Sequence, residues 1–513
     1  MRIVKFPALF KKNTFWIYIF LFILAATLRL LTMAKAPIYD DEITWMVRGK
    51  ETIYALIHHN FTYFRYAWWT DTTETQAIAL PLVLLNGGFH VLLAGAGKYS
   101  FHLLSDIIAS RLPIVILSSF LPLLIYYYGA SFFTKRIALL GAVLYALNPI
   151  AINIDTWILN DSLLTLFTFL SIAIFYRSAQ KGKNTILPGF FLSLSLLTKP
   201  LGILPIAFWI IYFLINNRTL KVLKLILYNL AFTFILIIVL WPQSWFNPIF
   251  AFPEYIYRQA HLVQTNLPVY YWGEVTFNPG WSYYFFQFFT RMPEGVILGF
   301  IFYLVFFVIN FKKNMRDRKK NFLMISVFGY LTLFLLFLLS LNLSAQKLGI
   351  RYALPILPWL ILLAASGLWG VFNKLKGLIF KGIYVFAMAI TLIYPIFYWP
   401  DYHLFYNYLI GGPKGAQKYD MVGVCASSKP AIEYLNSIKY DGKIYVAGCQ
   451  SAAYYYTNIP IVNDFKEAGV VVLETYFQKQ HPEREVFEFL KDKPIWKSFE
   501  KHGAVIAEIY IND

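Results

Sequence analysis

Long apolar runs recur along most of the chain, and they constrain its fold more than any other feature of the sequence. A helix that crosses the hydrocarbon core of a bilayer needs about 20 mostly apolar residues. Hydrophobic residues make up 58% of the sequence and charged residues only 14%, whereas soluble domains carry roughly 25% charged residues. This composition excludes a disordered chain and a set of soluble domains. It predicts a mainly α-helical, polytopic membrane protein.

About eleven of these runs are predicted to be transmembrane helices. In chain order they are Thr14–Met33, Leu104–Tyr127, Ile137–Ile154, Ser162–Tyr176, Ile186–Leu197, Leu201–Ile215, Leu225–Trp241, Gly295–Phe311, Phe322–Leu341, Tyr352–Phe372 and Gly382–Trp399. The first has full span length with no small-residue cleavage site after it, which predicts an uncleaved helix rather than a signal peptide. A further run, Ala77–Ala96, contains Pro81 and two glycines. We interpret it as an interfacial or re-entrant element.

The formal net charge of +18 indicates orientation rather than a nucleic-acid partner. Short cytoplasmic loops collect Lys and Arg. With the N-terminus in the cytoplasm, the predicted inner segments carry 21 basic residues and one acid, Asp317. Eleven crossings fit this distribution and twelve do not. The distribution of charge therefore predicts a multi-pass protein with a cytoplasmic N-terminus and no nucleic-acid partner. We expect its membrane to be a prokaryotic plasma membrane.

An odd number of crossings places the polar tail outside. Residues 1–400 are predicted to form the membrane domain, with external loops at 34–104 and 242–294. Residues 401–513 alternate strand-like and helix-like runs, which predicts a small extracytoplasmic α/β domain. Cys425 and Cys449 both belong to this tail. Outside the cytoplasm a disulfide between them is permitted, and two buried thiols are an equal alternative.

Three adjacent acids, Asp40, Asp41 and Glu42, follow the external end of the first predicted span. Carboxylates crowded at a partly dehydrated surface repel one another, which favours proton uptake by one of them and prepares a general base. The alternative is a solvated helix N-terminus, where the helix dipole favours acids. A fourth acid, Asp161, stands at the outer start of a span. Charge at the edge of a bilayer is costly and often functional, although Asp161 also suits a helix cap and Asp155 competes for its role.

Three cations are predicted at the same external face: Lys199, Arg351 and Arg111. Each can also be a snorkelling anchor. Arg111 is the least suited to that role because it lies inside a span, where Asp106 is near enough in sequence to pair with it. Guanidinium groups match phosphate oxygens in a bidentate fork. Cations and carboxylates at one membrane face predict a site for an anionic lipid head group and a reacting hydroxyl.

Several short motifs occur in a fixed order along the chain. They are Pro37–Glu42, Arg111-Leu112-Pro113, Leu159–Leu164, Leu196–Lys199, Asn278–Trp281, Lys347–Pro355 and Tyr406–Pro413. In this order the sequence resembles the GT-C glycosyltransferases. The similar groups are the dolichyl-phosphate-mannose–protein mannosyltransferases of glycosyltransferase family 39 and the lipid A aminoarabinose transferases. Asp40, which precedes the Asp-Glu pair, departs from their pattern.

The resemblance implies an inverting transfer of a sugar, a hexose such as mannose or a pentose, from a polyprenyl-phosphate carrier. The acceptor is an extracytoplasmic protein, lipid or glycan. Asp41 would take the proton of the acceptor hydroxyl, and the acids that orient the acceptor or sugar would be Glu42 and Asp161. The departing phosphate would be stabilised by the cations Arg351, Arg111 and Lys199. Fixed cations aimed at a leaving anion lower the barrier.

No cofactor is required for this chemistry, and the sequence predicts no dedicated metal ligands. An external carboxylate cluster can nevertheless bind a divalent metal ion, so that alternative stays open. Two other functions compete with transfer. A transporter or a flippase for lipid-linked sugars would place charged or broken helices near the bilayer midplane. A scaffold would use the tail as a binding module.

Overall fold

The computed structural model describes residues 12–60, 62, 79–94, 104–215, 219–246, 249, 253, 268–310, 349–423 and 427–512. Up to residue 400 this part of the chain is a bundle of helices. They are α1 (Lys12–Met33), α2 (Asp40–Ile57), α3 (Leu80–Ala94), α4 (Leu104–Ser119), α5 (Leu121–Phe132), α6 (Lys135–Ala146), α7 (Pro149–Asp155), α8 (Asn160–Lys181), α9 (Leu187–Thr198), α10 (Leu204–Ile215), α11 (Leu220–Leu240), α12 (Pro242–Phe246), α13 (Tyr283–Arg291), α14 (Glu294–Ile309), α15 (Leu357–Lys374) and α16 (Leu378–Phe397).

Six helices in the described residues are long and apolar enough to cross a membrane. They are Thr14–Met33, Ser105–Phe132, Asn160–Lys181, Leu220–Leu240, Ile350–Lys374 and Leu378–Phe397. Two bent pairs, α6 with α7 and α13 with α14, raise the number to eight if each pair is one span. The predicted span Phe322–Leu341 lies outside the described residues. The multi-pass membrane architecture is confirmed, and the count of eleven stays a prediction.

The bend between α6 and α7, 58°, has a local cause in the sequence. Asn148 caps α7 by accepting hydrogen bonds from the N–H groups of Ile150, at 3.0 Å, and Ala151, at 3.2 Å. Pro149 occupies the first turn of α7, where its missing N–H costs nothing. Because the Asn-Pro step ends one helix and begins another, the chain turns inside the bundle. This turn leads to Asp155 and to the start of α8.

The tail docks on the sharper bend, 117°, between α13 and α14. Asn407 donates its side-chain N–H to the carbonyl of Met292 at 2.9 Å, and its backbone N–H to the carbonyl of Thr290 at 2.9 Å. These carbonyls end α13 and have no partner within that helix. Glu294, at the start of α14, accepts from the N–H of Tyr408 at 2.7 Å. The segment after the last predicted span is therefore held by a broken helix.

An antiparallel hairpin before the tail consists of β1 (Val269–Tyr271) and β2 (Glu274–Thr276). The tail contains four further strands, β3 (Ile444–Ala447), β4 (Val470–Glu474), β5 (Ile495–Lys501) and β6 (Ala504–Ile511). These four form a mixed sheet in the order β3-β4-β6-β5. Short helices around the sheet are α17 (Gly412–Ala416), α18 (Lys429–Ser437), α19 (Gln450–Ala453), α20 (Thr475–Gln480) and α21 (Glu485–Leu490).

Strand β4 is buried along its whole length. It pairs in parallel with β3 and antiparallel with β6, and its alternate side chains enter separate apolar clusters on the two faces of the sheet. A strand covered on both faces has a continuous apolar sequence, as β4 does. The small α/β unit predicted from the sequence is confirmed, whereas its extracytoplasmic location stays a prediction. Cys449 is disulfide-bonded, and Cys425 lies outside the described residues.

Candidate functional site

Each of the three acids Asp41, Glu42 and Asp161 forms an ion pair with one of the three predicted cations. The pairs are Asp41 with Arg351 at 2.6 Å, Glu42 with Arg111 at 2.6 Å, and Asp161 with Lys199 at 2.7 Å. The site lies where the start of α2, the start of α8 and the segment before α15 meet. The sequence predicted these six residues on one face, and the structure shows which acid meets which cation.

Glu42 is fully buried and saturated with hydrogen bonds. Its carboxylate accepts from Arg111 Nε at 2.8 Å and from Arg111 Nη2 at 2.6 Å. It also accepts from the backbone N–H groups of Tyr39, at 2.9 Å, and Ile158, at 2.8 Å. The bond to Tyr39 is the return half of a capping box, because Glu42 is the third residue of α2 and Tyr39 precedes it. Glu42 thus ties the start of α2 to the segment before α8.

Arg111, also buried, uses its remaining donors on the turn between α1 and α2. Nη1 donates to the carbonyl oxygens of Met33, at 2.6 Å, and Ala36, at 3.2 Å, and Nη2 donates to that of Pro37 at 2.9 Å. All five N–H groups of the guanidinium are therefore engaged. Asp106, which is near enough in sequence to pair with Arg111, is not its partner, because Glu42 takes that place. A contact of Arg111 with phosphate stays a prediction.

Asp41 is the accessible acid of the site, with 44% of its side chain exposed. Its partner Arg351 is only 12% exposed and lies against two aromatic rings, with its guanidinium carbon 5.3 Å from the Tyr39 ring centre and 5.5 Å from that of Tyr352. Arg351 Nε has no hydrogen-bond partner among the described residues. Burial raises the pKa of Tyr39 to about 12, so its hydroxyl stays neutral beside the pair. Asp40 begins α2, and its side chain lies outside the described residues.

Asp161 lies in the first turn of α8 and is almost completely buried. Its Oδ1 atom accepts from Lys199, and Oδ2 has no partner within the described part of the chain. Lys199 is positioned by the break between α9 and Pro200, and its ammonium lies 4.1 Å from the centre of the Tyr352 ring. Lys199 and Arg351 therefore both contact Tyr352. Asp41 and Asp161, the acids that pair with these two cations, therefore belong to one cluster of charged residues.

The structure separates Asp155 from this cluster. Its Oδ2 atom accepts from Arg29 Nε at 2.9 Å and from Arg29 Nη2 at 2.7 Å, and both residues are buried. Asp155 therefore neutralises Arg29 of α1, and Asp161 is the acid beside Lys199. Sequence reasoning assigned no role to Tyr39 or Tyr352, although they lie inside the motifs Pro37–Glu42 and Lys347–Pro355. Within the described ranges, no three His, Cys, Asp or Glu side chains form a group that can hold a metal ion.

Comparison with known proteins extends the sequence resemblance. Residues 99–245 match the family model described as dolichyl-phosphate-mannose-protein mannosyltransferase, and this segment includes Arg111, Asp161 and Lys199. No similar sequence was found among the curated proteins.

Solved structures give a match over almost the whole chain. The apo crystal structure of ArnT from Cupriavidus metallidurans has a TM-score of 0.51 and 14% sequence identity, and the match covers 98% of this chain and 98% of that one. An Archaeoglobus fulgidus oligosaccharyltransferase, tethered with an acceptor peptide, has a TM-score of 0.49 and 12% identity over 98% of this chain and 74% of that one. The resemblance to the GT-C glycosyltransferases is confirmed: this chain has their fold.

Proposed function

We propose that this protein is a membrane glycosyltransferase that moves a sugar from a polyprenyl-phosphate carrier to an acceptor hydroxyl, with inversion at the anomeric carbon. The sugar is a hexose such as mannose, and the acceptor is an extracytoplasmic protein, lipid or glycan. The match of residues 99–245 to the mannosyltransferase family model supports the reaction class. The observation that carries the proposal is the accessible Asp41 carboxylate beside the buried Arg351.

Asp41 is the general base. As the bond between the sugar and the phosphate breaks, the acceptor oxygen forms a bond to the anomeric carbon and loses its proton to an oxygen of Asp41. The guanidinium of Arg351 binds Asp41 before the donor arrives and the donor phosphate afterwards, because the phosphate competes with the Asp41 carboxylate for the same N–H groups. Donor binding thereby loosens the ion pair and frees the carboxylate for the acceptor. Neither Glu42 nor Asp161 is exposed enough to replace Asp41 in this role.

The departing phosphate is stabilised by Arg351 and Lys199, which contact the same Tyr352 ring. Arg351 Nε is a buried donor with no partner in the described structure, and the ammonium of Lys199 has three donors, of which one binds Asp161. Donors fixed in advance at a place where negative charge develops lower the barrier to its formation. Glu42 and Arg111 hold the Asp41-bearing helix in place, and Asp161 orients Lys199.

Residues 1–400 form the catalytic membrane domain and residues 401–513 an extracytoplasmic domain, with the N-terminus in the cytoplasm. The docking of the tail beside the acid-bearing turn supports a common side for the tail and the site. No metal ion is needed for the proposed proton transfer.

The test is sugar transfer by the full-length chain in lipid nanodiscs. Radiolabelled polyprenyl-phosphate hexoses and pentoses are supplied with membranes as the acceptor source, and label is followed into protein, lipid and glycan. Asp41→Asn is expected to lower the rate by about 10²–10⁴-fold, the usual contribution of a positioned base. Glu51→Gln, at an exposed position on the same helix α2, is the matched control and keeps the wild-type rate.

Two results contradict the proposal. Undiminished transfer by Asp41→Asn removes Asp41 from its role as the base. Movement of the labelled lipid across the bilayer by the wild type, without transfer of label to any acceptor, identifies a flippase instead.

A further inference from the structure

The tail domain touches the turn that carries the proposed base. The backbone N–H of Ile38 donates to the hydroxyl oxygen of Tyr456 at 2.5 Å. The ammonium of Lys429 donates to the carbonyl oxygen of Lys35 at 2.8 Å. Both tail residues are more than 390 positions away in sequence, so these contacts depend entirely on how the tail docks. Nothing in the reaction proposed above uses either side chain.

We propose that the tail domain is a positioning element of the catalytic site, acting through Tyr456 and Lys429 on the turn before Asp41. This inference rests on the proposed function, because it assigns a role at the same site. Tyr456 and Lys429 touch neither the donor nor the acceptor. They act through the backbone of residues 35–38.

The membrane bundle and the tail domain bind the turn at residues 35–38 from opposite sides. Arg111 binds the carbonyl oxygens of residues 33, 36 and 37, and Trp157 Nε1 donates to that of Pro37 at 3.0 Å. All of these hydrogen bonds from the bundle end on backbone carbonyl oxygens, and none of them binds a backbone N–H group of the turn. The N–H of Ile38, a fully buried residue, faces the tail and takes its acceptor from Tyr456. Each side of the turn thus has its own partner.

The turn is connected to the ion pair between Asp41 and Arg351 through a single residue, Tyr39. Tyr39 follows Ile38 and stacks on Trp157, with ring centres 5.1 Å apart. The same Tyr39 ring contacts the Arg351 guanidinium, which binds Asp41. A shift of Ile38 therefore moves Tyr39, and with it the guanidinium that Asp41 and the phosphate share. A misplacement of about 1 Å in such a geometry costs about 100-fold in rate.

Lys429 connects the two tail contacts. Its ammonium lies 5.5 Å from the centre of the Tyr456 ring and 4.0 Å from a carboxylate oxygen of Glu433, one helical turn further along α18. It therefore packs against the ring that binds Ile38 while it binds the carbonyl of Lys35. Helix α19, which ends three residues before Tyr456, packs against α2. The tail therefore contacts both the turn and α2, the helix that follows it.

The first measurement is amide hydrogen exchange of the full-length chain in nanodiscs, read on the peptide that contains residues 35–39. Tyr456→Phe removes only the hydroxyl that accepts from Ile38, and we expect exchange there to be about tenfold faster, as for the loss of one hydrogen bond. Tyr454→Phe changes an exposed tyrosine of the same segment and should leave that exchange unchanged. Equal exchange in the two variants overturns the proposal.

The second measurement is sugar transfer, with kcat and the KM for the donor determined separately. Tyr456→Phe and Lys429→Met are expected to lower kcat by about 10–100-fold with little change in KM, and Lys429→Arg to restore most of the rate. Equal losses in Lys429→Arg and Lys429→Met contradict positioning by a donor. If Tyr456→Phe unfolds, Lys429→Met and its Arg counterpart decide the question with the same two readouts.

The two readouts distinguish failure of this inference from failure of the proposed function. Faster exchange in Tyr456→Phe, combined with no transfer by the wild type, leaves the tail contact established and rejects the glycosyltransferase. Transfer by the wild type, with unchanged exchange and unchanged kcat in the variants, keeps the enzyme and rejects the tail as a positioning element.

Discussion

The ion pair between Glu42 and Arg111 offers the most direct test of how the site is held. Arg111→Met keeps an unbranched apolar side chain in place of the arginine methylenes and removes five N–H donors. The fully buried Glu42 carboxylate then loses its counter-charge and two of its four hydrogen bonds. The carbonyl oxygens of Met33 and Ala36 also lose their donor. We therefore expect a large loss of stability together with a loss of transfer.

The magnitude follows from the burial of both partners. Removing one member of a buried ion pair costs about 3–5 kcal/mol, because the other charge stays desolvated without compensation. This corresponds to a fall of about 3–5 °C in the midpoint of thermal unfolding for a chain of 513 residues, measured on the purified chain in detergent by intrinsic fluorescence. Lys221→Met, at an exposed position of α11, is the control, because a surface substitution changes stability by about 0.5 kcal/mol or less.

The double variant Glu42→Met/Arg111→Met separates charge burial from positioning. With both charges gone, no uncompensated ion remains, so we expect the double variant to unfold at a higher temperature than Arg111→Met alone. Transfer should stay lost, because the turn before Asp41 no longer has the hydrogen bonds that Arg111 donates to the carbonyl oxygens of Met33, Ala36 and Pro37. An unchanged midpoint in Arg111→Met, or a double variant less stable than that single variant, would refute this reasoning.

Two further predictions concern stability. Burial lowers the pKa of His403 to about 4, so the folded state binds fewer protons than the unfolded state below the ordinary value of 6.5. The contribution of His403 is complete above pH 6.5 and is lost as the pH falls toward 4. His403→Gln should flatten the pH dependence of the unfolding midpoint in that window, and an unchanged slope contradicts it. Gly367→Ala would bring its Cβ within 2.0 Å of the Gly299 carbonyl oxygen. It should force α14 and α15 apart and destabilise the fold by about 1–3 kcal/mol, whereas Gly382→Ala, with open space around it, should leave the unfolding midpoint unchanged.

The pattern of apolar and charged residues predicted the helical membrane architecture, because a bilayer offers no water to satisfy backbone hydrogen bonds. Apolar runs long enough to satisfy every backbone hydrogen bond as helix must become spans or buried helices, and the charged residues between them then stand out. Asp41 and Arg351 were found in this way. Three of the four strands of the tail correspond to strand-like runs in the sequence, which are Lys443–Ala447, Val470–Thr475 and Ala504–Ile511. Strand β5, which is mostly exposed, was not predicted.

Two proline-containing steps in the sequence mark breaks between helices and were not interpreted in that way. The predicted span Ile137–Ile154 contains Asn148-Pro149, a cap followed by proline, and the structure bends there. Met292-Pro293 precedes another predicted span and marks the sharper bend. Proline after a capping residue starts a helix as effectively as it ends one. Apolar length by itself therefore does not distinguish a straight span from a broken one.

The sequence determined which residues are charged and that they gather near one face, because hydropathy and charge are local properties. Only the tertiary structure decided their partners. By sequence Asp106, five positions away, was a possible partner of Arg111, and the structure pairs Arg111 instead with Glu42, 69 positions away. An ion pair forms between the groups that helix packing leaves together in low dielectric, where an unpaired charge is costly. The same packing brings Tyr456 to Ile38, a contact for which the sequence contains no local signal.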